Sequence, residues 1–481
     1  MPEPAVAAAT SKIVRVGLLS SIIKLDPRES ADSISDMILG QVFQTPYALV
    51  AGESRVEPQL FEPLHPEGPL KFSAAIRPGA KFSDGTPLTA ELAARSLRGA
   101  KILANKAAID VKGERVWFTL ASPNPRFDLT LTQNNTAIVL DRGAQLLGTG
   151  AFAFEQRPNL RQLQAAKSFR LVRNPHHAGM CGVDEIEFRV FPAEEDGTPR
   201  ALIDALRDGE VDLTNALTMT DVTANRLPGL VPSLQPGNST GFLVFNCERR
   251  ILANASVRRG IALALDLHEL ATRSFDKNPA AFVAANLLPP MMGRAAGFAP
   301  TDRDQARRLL DASGMKPGRL SLLVPWAPRP YYPKPLQLAQ AMQRQLAEVG
   351  IDVDLRETKT ADEFFGDLVR GNYDLALAGW IADTPDPADF FEALLWSKMC
   401  GLENHHSNHS RWRNDEMDAA LARFREEPTE EHKRELHRII RDEAPLVPLI
   451  YGQSVVVHSR KMRNVSVTAT GLVTLSGVSV S

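Results

Sequence analysis

YDLALAGWIADTPDPADFF, residues 373–391, holds a strand, a loop and the start of a helix in one stretch. Tyr373, Leu375 and Leu377, with small residues between them, form a short apolar run suited to a covered parallel sheet. The pattern breaks at Trp380-Ile381-Ala382-Asp383. Asp386 before Pro387 predicts an N-cap with proline at the first helical position, and Phe390 and Phe391 open the buried face of that helix. Ligands of open α/β sheets bind just beyond the carboxyl ends of strands, where Trp380 and Asp383 fall. Asp386 has a task as a cap, whereas Asp383 has no evident structural one.

The surrounding chain repeats the same alternation. GFLVFNC at 241–247 and Leu320–Val324 read as strands, as do the alternating Ile351, Val353 and Leu355. Between them, Val257–Ala271, Asp304–Ala312 and Leu336–Val349 read as helices, the last burying Leu338, Met342, Leu346 and Val349. Strand–helix alternation predicts an α/β domain with a mostly parallel sheet in the second half. In the first half, Ile13–Leu19 reads as a strand and Ser33–Phe43 as a helix. Thr89 predicts an N-cap with Glu91 in the first turn, and IDVKGERVWFTL predicts a hairpin turning at Lys112-Gly113.

With 481 residues the chain is too long for one core, so two or three domains are expected. A formal net charge of -2 gives no bulk electrostatic case for nucleic acid or an anionic membrane. No run of eighteen apolar residues predicts a membrane span. MPEPAVAAATSKIVRVG lacks the basic and apolar regions of an intact secretory signal, which leaves a removed signal, a cytosolic protein or a fragment of a longer one. Cys181, Cys247 and Cys400 are far apart and form no CxxC, so the sequence indicates neither a zinc cluster nor a disulfide framework. GxSxG, HExxH, GxGxxG and GxxxxGK[ST] are all absent, so no enzyme motif is present.

Several motifs, in order, resemble the family 5 extracellular solute-binding proteins of ABC transporters, the peptide- and nickel-binding group. They are FSDGTPLTAE (82–91), GTGAF (148–152), VRNPHHAG followed by VDEIEFRVFP, ALRDGEVDL (205–213), VRRGIALALD (257–266) and EAPLVPL (443–449). The likeness runs from about residue 13 to 468. RPYYP (329–333), GWIADTPDPADFF and SNHSRWRN (407–414) are most similar to the dipeptide-binding proteins. That resemblance implies that Arg329 holds a peptide carboxylate and Asp383 its amine. Departures are present. Cys400 stands at the first position of a family disulfide, but Arg413 occupies the second, so that pair cannot form. Gln44 replaces a usual glutamate, and the smaller domain is short.

The resemblance implies a bilobed α/β fold like that of periplasmic binding proteins (type II, with an extra inserted domain), its two lobes joined by a hinge. Lobe I is expected at 1–44, 146–240 and 452–481, with a small domain at 45–145 inserted and lobe II at 241–451. A short peptide or peptide-like molecule would bind in an interlobe cleft and close the lobes. The expected partners are the ABC-transporter membrane subunits, with a monomeric, periplasmic or extracellular protein that carries no cofactor and no metal. A ligand-sensing domain of a cytosolic regulator, and a metal-dependent enzyme, stay as alternatives.

Each candidate residue has a plainer reading beside the functional one. A loop Asp383 caps backbone amides as readily as it pairs a buried ammonium. A proline-flanked Arg329 suits bidentate grip of a carboxylate, yet solvated surface arginines are commoner. Trp380, Tyr331 and Trp412 suit the wall of a permissive pocket, and equally core packing; Trp326 and Tyr332 lie near the same loops. Asn246 ends its strand and either donates to ligand backbone or serves the hinge. Glu403, His405, His406 and His409 could ligate zinc or nickel, but their asparagine, serine and glycine neighbours predict an irregular loop without tightly held metal.

Overall fold

The computed structural model describes residues 12–480 except 31, 51–54, 144, 195–197, 226, 276–281, 293–299, 315–317, 383, 401–406 and 468–471. The chain divides into two compact units, 1–217 with 221–233 and 455–481, and 218–220 with 234–454. Among the described residues no helix is long and apolar enough to cross a membrane.

The first unit starts with β1 (Ile13–Leu18) and α1 (Ser33–Val42), which Asp32 caps by accepting from Ser35 N–H. A small antiparallel sheet follows: β2 (His65–Gly68), β3 (Lys71–Ala75), β4 (Ala107–Lys112) and β5 (Arg115–Leu120), in the order β2-β3-β5-β4. The predicted hairpin is β4–β5, with Gly113 at φ 61 in its turn. The helix α2 (Ala90–Arg98) packs on it, capped by the Thr89 hydroxyl as expected. Then come β6 (Phe152–Phe154), β7 (Ser168–Arg173), β8 (Glu185–Val190) and β9 (Leu213–Thr214), ordered β6-β7-β8-β1-β9. β1 and β8 run parallel, with Val14 beside Ile186 and Val16 beside Phe188. These residues lie in one core with Ile38 and Phe152, while Phe61, Phe82, Leu97, Phe118 and Phe127 form another drawn only from residues 47–147.

Three of the sequence motifs meet in this unit. Ser83 N–H donates to the Gly148 carbonyl, and Asn174 Nδ2 donates to the Gly150 carbonyl at 2.8 Å. The last turn of α1 crosses the glycines so closely that a Cβ on Gly148 would lie 2.0 Å from the Val42 oxygen, and one on Gly150 2.4 Å from that of Gln41. GTG is therefore the footprint of a backbone crossing. A fourth motif supplies Asp212, which takes Arg15 of β1 in a two-pronged pair at 2.9 and 3.1 Å.

The second unit contains β10 (Leu230–Phe245), whose first residues lie in the first unit, then α3 (Ala255–Ala264), β11 (Leu320–Val324), α4 (Pro335–Ala347), β12 (Val353–Glu357), α5 (Ala361–Arg370), β13 (Leu375–Ile381), α6 (Pro387–Leu395), α7 (Asp415–Glu426), α8 (Glu430–Glu443) and β14 (Leu446–Ser459), whose residues from Val455 on lie in the first unit. The strand order is β14-β10-β13-β11-β12, with β11 parallel to both neighbours and β10 antiparallel to β13. Side chains alternate across β13: Leu375 and Leu377 enter one core with Leu243 and Phe245, and Ala376 and Ala378 enter the other with Phe242 and Val244.

Two sequence expectations change. The helix expected over 257–271 is two helices, because Asp266 leaves helical geometry and accepts from Glu269 N–H to cap a second one, Leu267–Ser274. The strand expected from Gly241 begins at Leu230, in a polar run, VPSLQPGNST, that hides the strand period.

Candidate functional site

β11 and β13 are parallel neighbours, so their carboxyl ends point the same way; Leu323 lies beside Ala376, and β13 runs on past the end of β11 to Ile381. The chain leaving β11 turns at once. Arg329 and Tyr332 exchange backbone hydrogen bonds, each N–H donating to the other's carbonyl at 2.9 Å. The flanking Pro330 and Pro333 restrict the same turn. Its two tyrosines meet edge to face, with ring centres 5.0 Å apart.

A pair of glycines makes room for them. Gly241 of β10 and Gly379 of β13 sit directly opposite each other. A Cβ on Gly379 would lie 2.4 Å from the Tyr331 ring, and one on Gly241 2.6 Å from that of Tyr332. Opposed residues of an antiparallel pair share a face, so the two missing side chains form one flat floor. Burial pushes both phenols above their ordinary range.

Arg329 is partly buried. Its guanidinium carbon lies 4.1 Å from the centre of the Trp326 ring and 5.8 Å from that of Phe365. Trp326 leans in turn on Phe364 and Phe365, both at 5.7 Å. Such a cation gains from the ring faces and keeps its in-plane N–H groups available. Among the described residues Arg329 has no carboxylate partner, although most arginines here do. The site therefore offers a positioned guanidinium edge beside aromatic surface at the end of a sheet.

The sequence candidates fare differently. Arg329, Tyr331 and Trp326 come together in and around one turn. Trp380 is the penultimate residue of β13, not part of the following loop, and pairs with Thr240. One residue beyond Gly379, it packs on the core face that also takes Trp326, while Tyr331 packs on the other. These aromatics flank the sheet end from two faces and do not line one wall. Asp383 lies outside the described residues. Its neighbour Ala382 is clamped to Asn238, Ala382 N–H donating at 2.8 Å and Asn238 Nδ2 returning a bond at 3.0 Å. Asp386 caps α6 through Ala388 N–H, and Pro387 opens the helix, as expected.

Asn246 and Trp412 both lie in the interior. Asn246 is 2% exposed; its Nδ2 donates to the carbonyls of Gly371 and Tyr373, and its Oδ1 accepts from Glu248 N–H. Its amide is spent on the protein's own backbone. Trp412 is a core residue among the α6 and α7 side chains, and its carbonyl accepts from Asn408 Nδ2. Of the histidine-bearing stretch, Glu403, His405 and His406 lie outside the described residues, and His409 gives its carbonyl to the Tyr373 hydroxyl. The three cysteines are free thiols, with those of Cys247 and Cys400 each raised by burial to about 11.

Sequence reasoning missed Phe365 and the glycine pair. The Phe364-Phe365 doublet was the available signal: adjacent residues of a surface helix cannot both face the core, and Phe365 is 49% exposed. The glycines carried none, because their partner tyrosines lie far away in sequence.

Comparison with known proteins places this architecture. The profile of the bacterial extracellular solute-binding proteins, family 5 Middle, matches residues 55–398. The peptide transport periplasmic protein SapA of Salmonella typhimurium is 28% identical over 358 residues, 73% of this chain and 62% of that protein. A probable di/tripeptide-binding protein of Pseudomonas aeruginosa is 26% identical over 69% of this chain and 62% of its own. The chain thus matches somewhat less than two thirds of the length of these two relatives. The structure of HbpA2 from Haemophilus parasuis superposes with a TM-score of 0.85, covering 98% of this chain and 100% of that one at 20% identity. The fold is therefore that of periplasmic binding proteins.

Proposed function

This chain belongs to the bacterial extracellular solute-binding proteins of family 5, and from that premise we propose that it captures a short peptide, or a small molecule with a peptide's charged ends, for uptake by an ABC transporter. The observation that carries the reading is Arg329. It is a stacked guanidinium held by a hydrogen-bonded turn at the end of a strand, without a carboxylate among the described residues to neutralise it. A ligand carboxylate completes it through two parallel hydrogen bonds. Asp383, following the neighbouring strand, is assigned the ligand's amine, and Tyr331 and Trp380 its apolar surroundings. The names of the two curated relatives carry peptide transport and di/tripeptide binding.

The role is binding and release, with no covalent step. Lobe I at 1–44, 146–240 and 452–481, an inserted domain at 45–145 and lobe II at 241–451 remain the domain division we propose. The partners are the membrane subunits of the transporter, and the place of action is the periplasm.

Native mass spectrometry of protein purified without denaturation identifies what it carries. Calorimetry with free and end-capped di- and tripeptides then tests the assignment. Asp383→Asn is expected to weaken a free dipeptide by about 2–5 kcal/mol, the usual result of truncating a buried charge pair, and to matter much less for a ligand with an acetylated amine. Equal binding of a free dipeptide by the variant and the wild type would remove the peptide assignment and leave the fold standing.

A further inference from the structure

Helix α5 carries two adjacent phenylalanines with different surroundings. Phe364 is 4% exposed and joins Leu323 and Leu368 in the core. Phe365 is half in solvent, and among the described residues it is the only exposed aromatic side chain. A single exposed phenylalanine elsewhere on the surface would need no explanation. This one stands at the Arg329 turn. Its ring meets Trp326 edge to face, with the centres 5.7 Å apart and the planes at 68°. The Arg329 guanidinium carbon lies 4.1 Å over the Trp326 ring and 5.8 Å from the centre of the Phe365 ring.

These three distances fix a corner. Trp326 is its floor, the guanidinium lies over that floor, and Phe365 rises beside both. A carboxylate held by two parallel hydrogen bonds has its carbon about 4 Å from the guanidinium carbon. The ligand residue that bears the carboxylate starts one bond further on. Its side chain therefore begins near the corner, where a ring of its own reaches Phe365 at the usual spacing of aromatic pairs, about 4.5–7 Å. The Phe365 ring has no polar atom, so it rewards size and aromaticity and not hydrogen bonding. Its open side admits small residues without favouring them.

We propose that Phe365 is a specificity-determining residue, forming with Trp326 a subsite for the side chain of the ligand residue whose carboxylate Arg329 holds. The ligand class it selects is peptides with an aromatic or large aliphatic residue at the carboxyl end. This rests on the peptide reading above and adds the kind of peptide to it.

The test is calorimetry on the full chain with alanyl-phenylalanine, alanyl-alanine and phenylalanyl-alanine. The wild type should bind alanyl-phenylalanine at least about fivefold more tightly than alanyl-alanine. Phe365→Ala should bring that ratio to within about twofold of unity, and Phe365→Leu should restore part of it. The ratio of phenylalanyl-alanine to alanyl-alanine should be the same in wild type and variant, because that ring lies at the other end of the ligand. Ratios are the readout because a merely structural loss in α5 would weaken all three peptides alike. Circular dichroism checks the fold, and Phe365→Gln takes the place of Phe365→Ala if the latter does not fold. Equal wild-type affinity for alanyl-phenylalanine and alanyl-alanine, an unchanged ratio in the variant, or an equal fall in the phenylalanyl-alanine ratio would each overturn the subsite and leave the peptide reading standing. Failure of the wild type to bind any of the three would overturn both.

Discussion

Arg258 and Arg329 belong to the same unit and differ in what their guanidinium groups touch. Arg258 is 1% exposed and spends its guanidinium on carbonyls: Leu252 and Ala253 at 2.7 and 2.9 Å, and Glu443 and Ala444 at 2.9 and 3.1 Å. It joins two motifs of the sequence, VRRGIALALD and EAPLVPL, and closes the end of α8, where Ala444 sits at φ 45. Arg258→Met should lower stability by about 3–5 kcal/mol, because it strands several buried acceptors at once, and urea unfolding measures it. Arg329 has no such task. Its replacement by alanine should leave the urea midpoint within about 0.5 kcal/mol of wild type, as for most partly exposed positions, and cost a free dipeptide about 2–5 kcal/mol of binding. An unfolded Arg329→Ala protein would show that the turn, not the ligand, needs the charge. In the sequence Arg258 and its neighbour Arg259 look alike, since the carbonyls that distinguish them come from residues 443–444. Asn246 was unreadable for the same reason, its partners lying at Gly371 and Tyr373.

Single elements were legible where their own residues determine them. Thr89, Asp386 and the Lys112-Gly113 turn act locally, and each does what its chemistry predicts. The split at Asp266 and the long strand from Leu230 were not legible, because a cap overrides a helical period and neighbouring strands override a polar one. The glycine floor under the tyrosines is likewise a property of paired elements. Gly379→Ala should drive the Tyr331 ring aside, disturb the Arg329 turn and cost about 1–3 kcal/mol of stability, as overpacking does; adding Tyr331→Ala should recover much of that loss. If the single variant is as stable as wild type, the ring does not rest where we place it. In α8, His437 is buried against the Phe391 ring, with its Nε2 lacking a partner. Burial first, and the Lys433 charge second, lower its pKa to about 4, while Glu430 opposes them and Arg441 adds slightly. The unfolded chain, near 6.5, binds the proton more readily, so this contribution is complete above pH 6.5 and disappears as pH falls towards 4. Replacing His437 by leucine should flatten the urea midpoint across that window, where the wild type loses on the order of 3 kcal/mol. An unchanged pH profile in the variant would assign the acid sensitivity to other groups.

At the scale of the whole molecule, the motifs that made the resemblance readable are chiefly scaffold. FSDGTPLTAE, GTGAF and the asparagine of VRNP meet in the first unit, Asp212 of ALRDGEVDL pins β1, and VRRGIALALD meets EAPLVPL in the second. Such contacts are demanded by the fold whatever the ligand, so they say little about what is bound. The proposed ligand contacts instead sit at the end of β13 and in the chain that follows β11 and β13, all within residues 234–454. This concentration makes a prediction about where binding is felt. A peptide at one hundred times its Kd should stabilise the state that binds it by about 2.7 kcal/mol. Hydrogen exchange read by mass spectrometry should show added protection first at residues 326–333 and 375–382. Both segments are anchored through the glycine pair and the Asn238–Ala382 clamp, so ordering one restrains the other. Arg329→Ala should abolish the protection at 326–333 at the same peptide concentration. Protection confined to the first unit, or identical in the Arg329 variant, would move the ligand site away from the ends of β11 and β13.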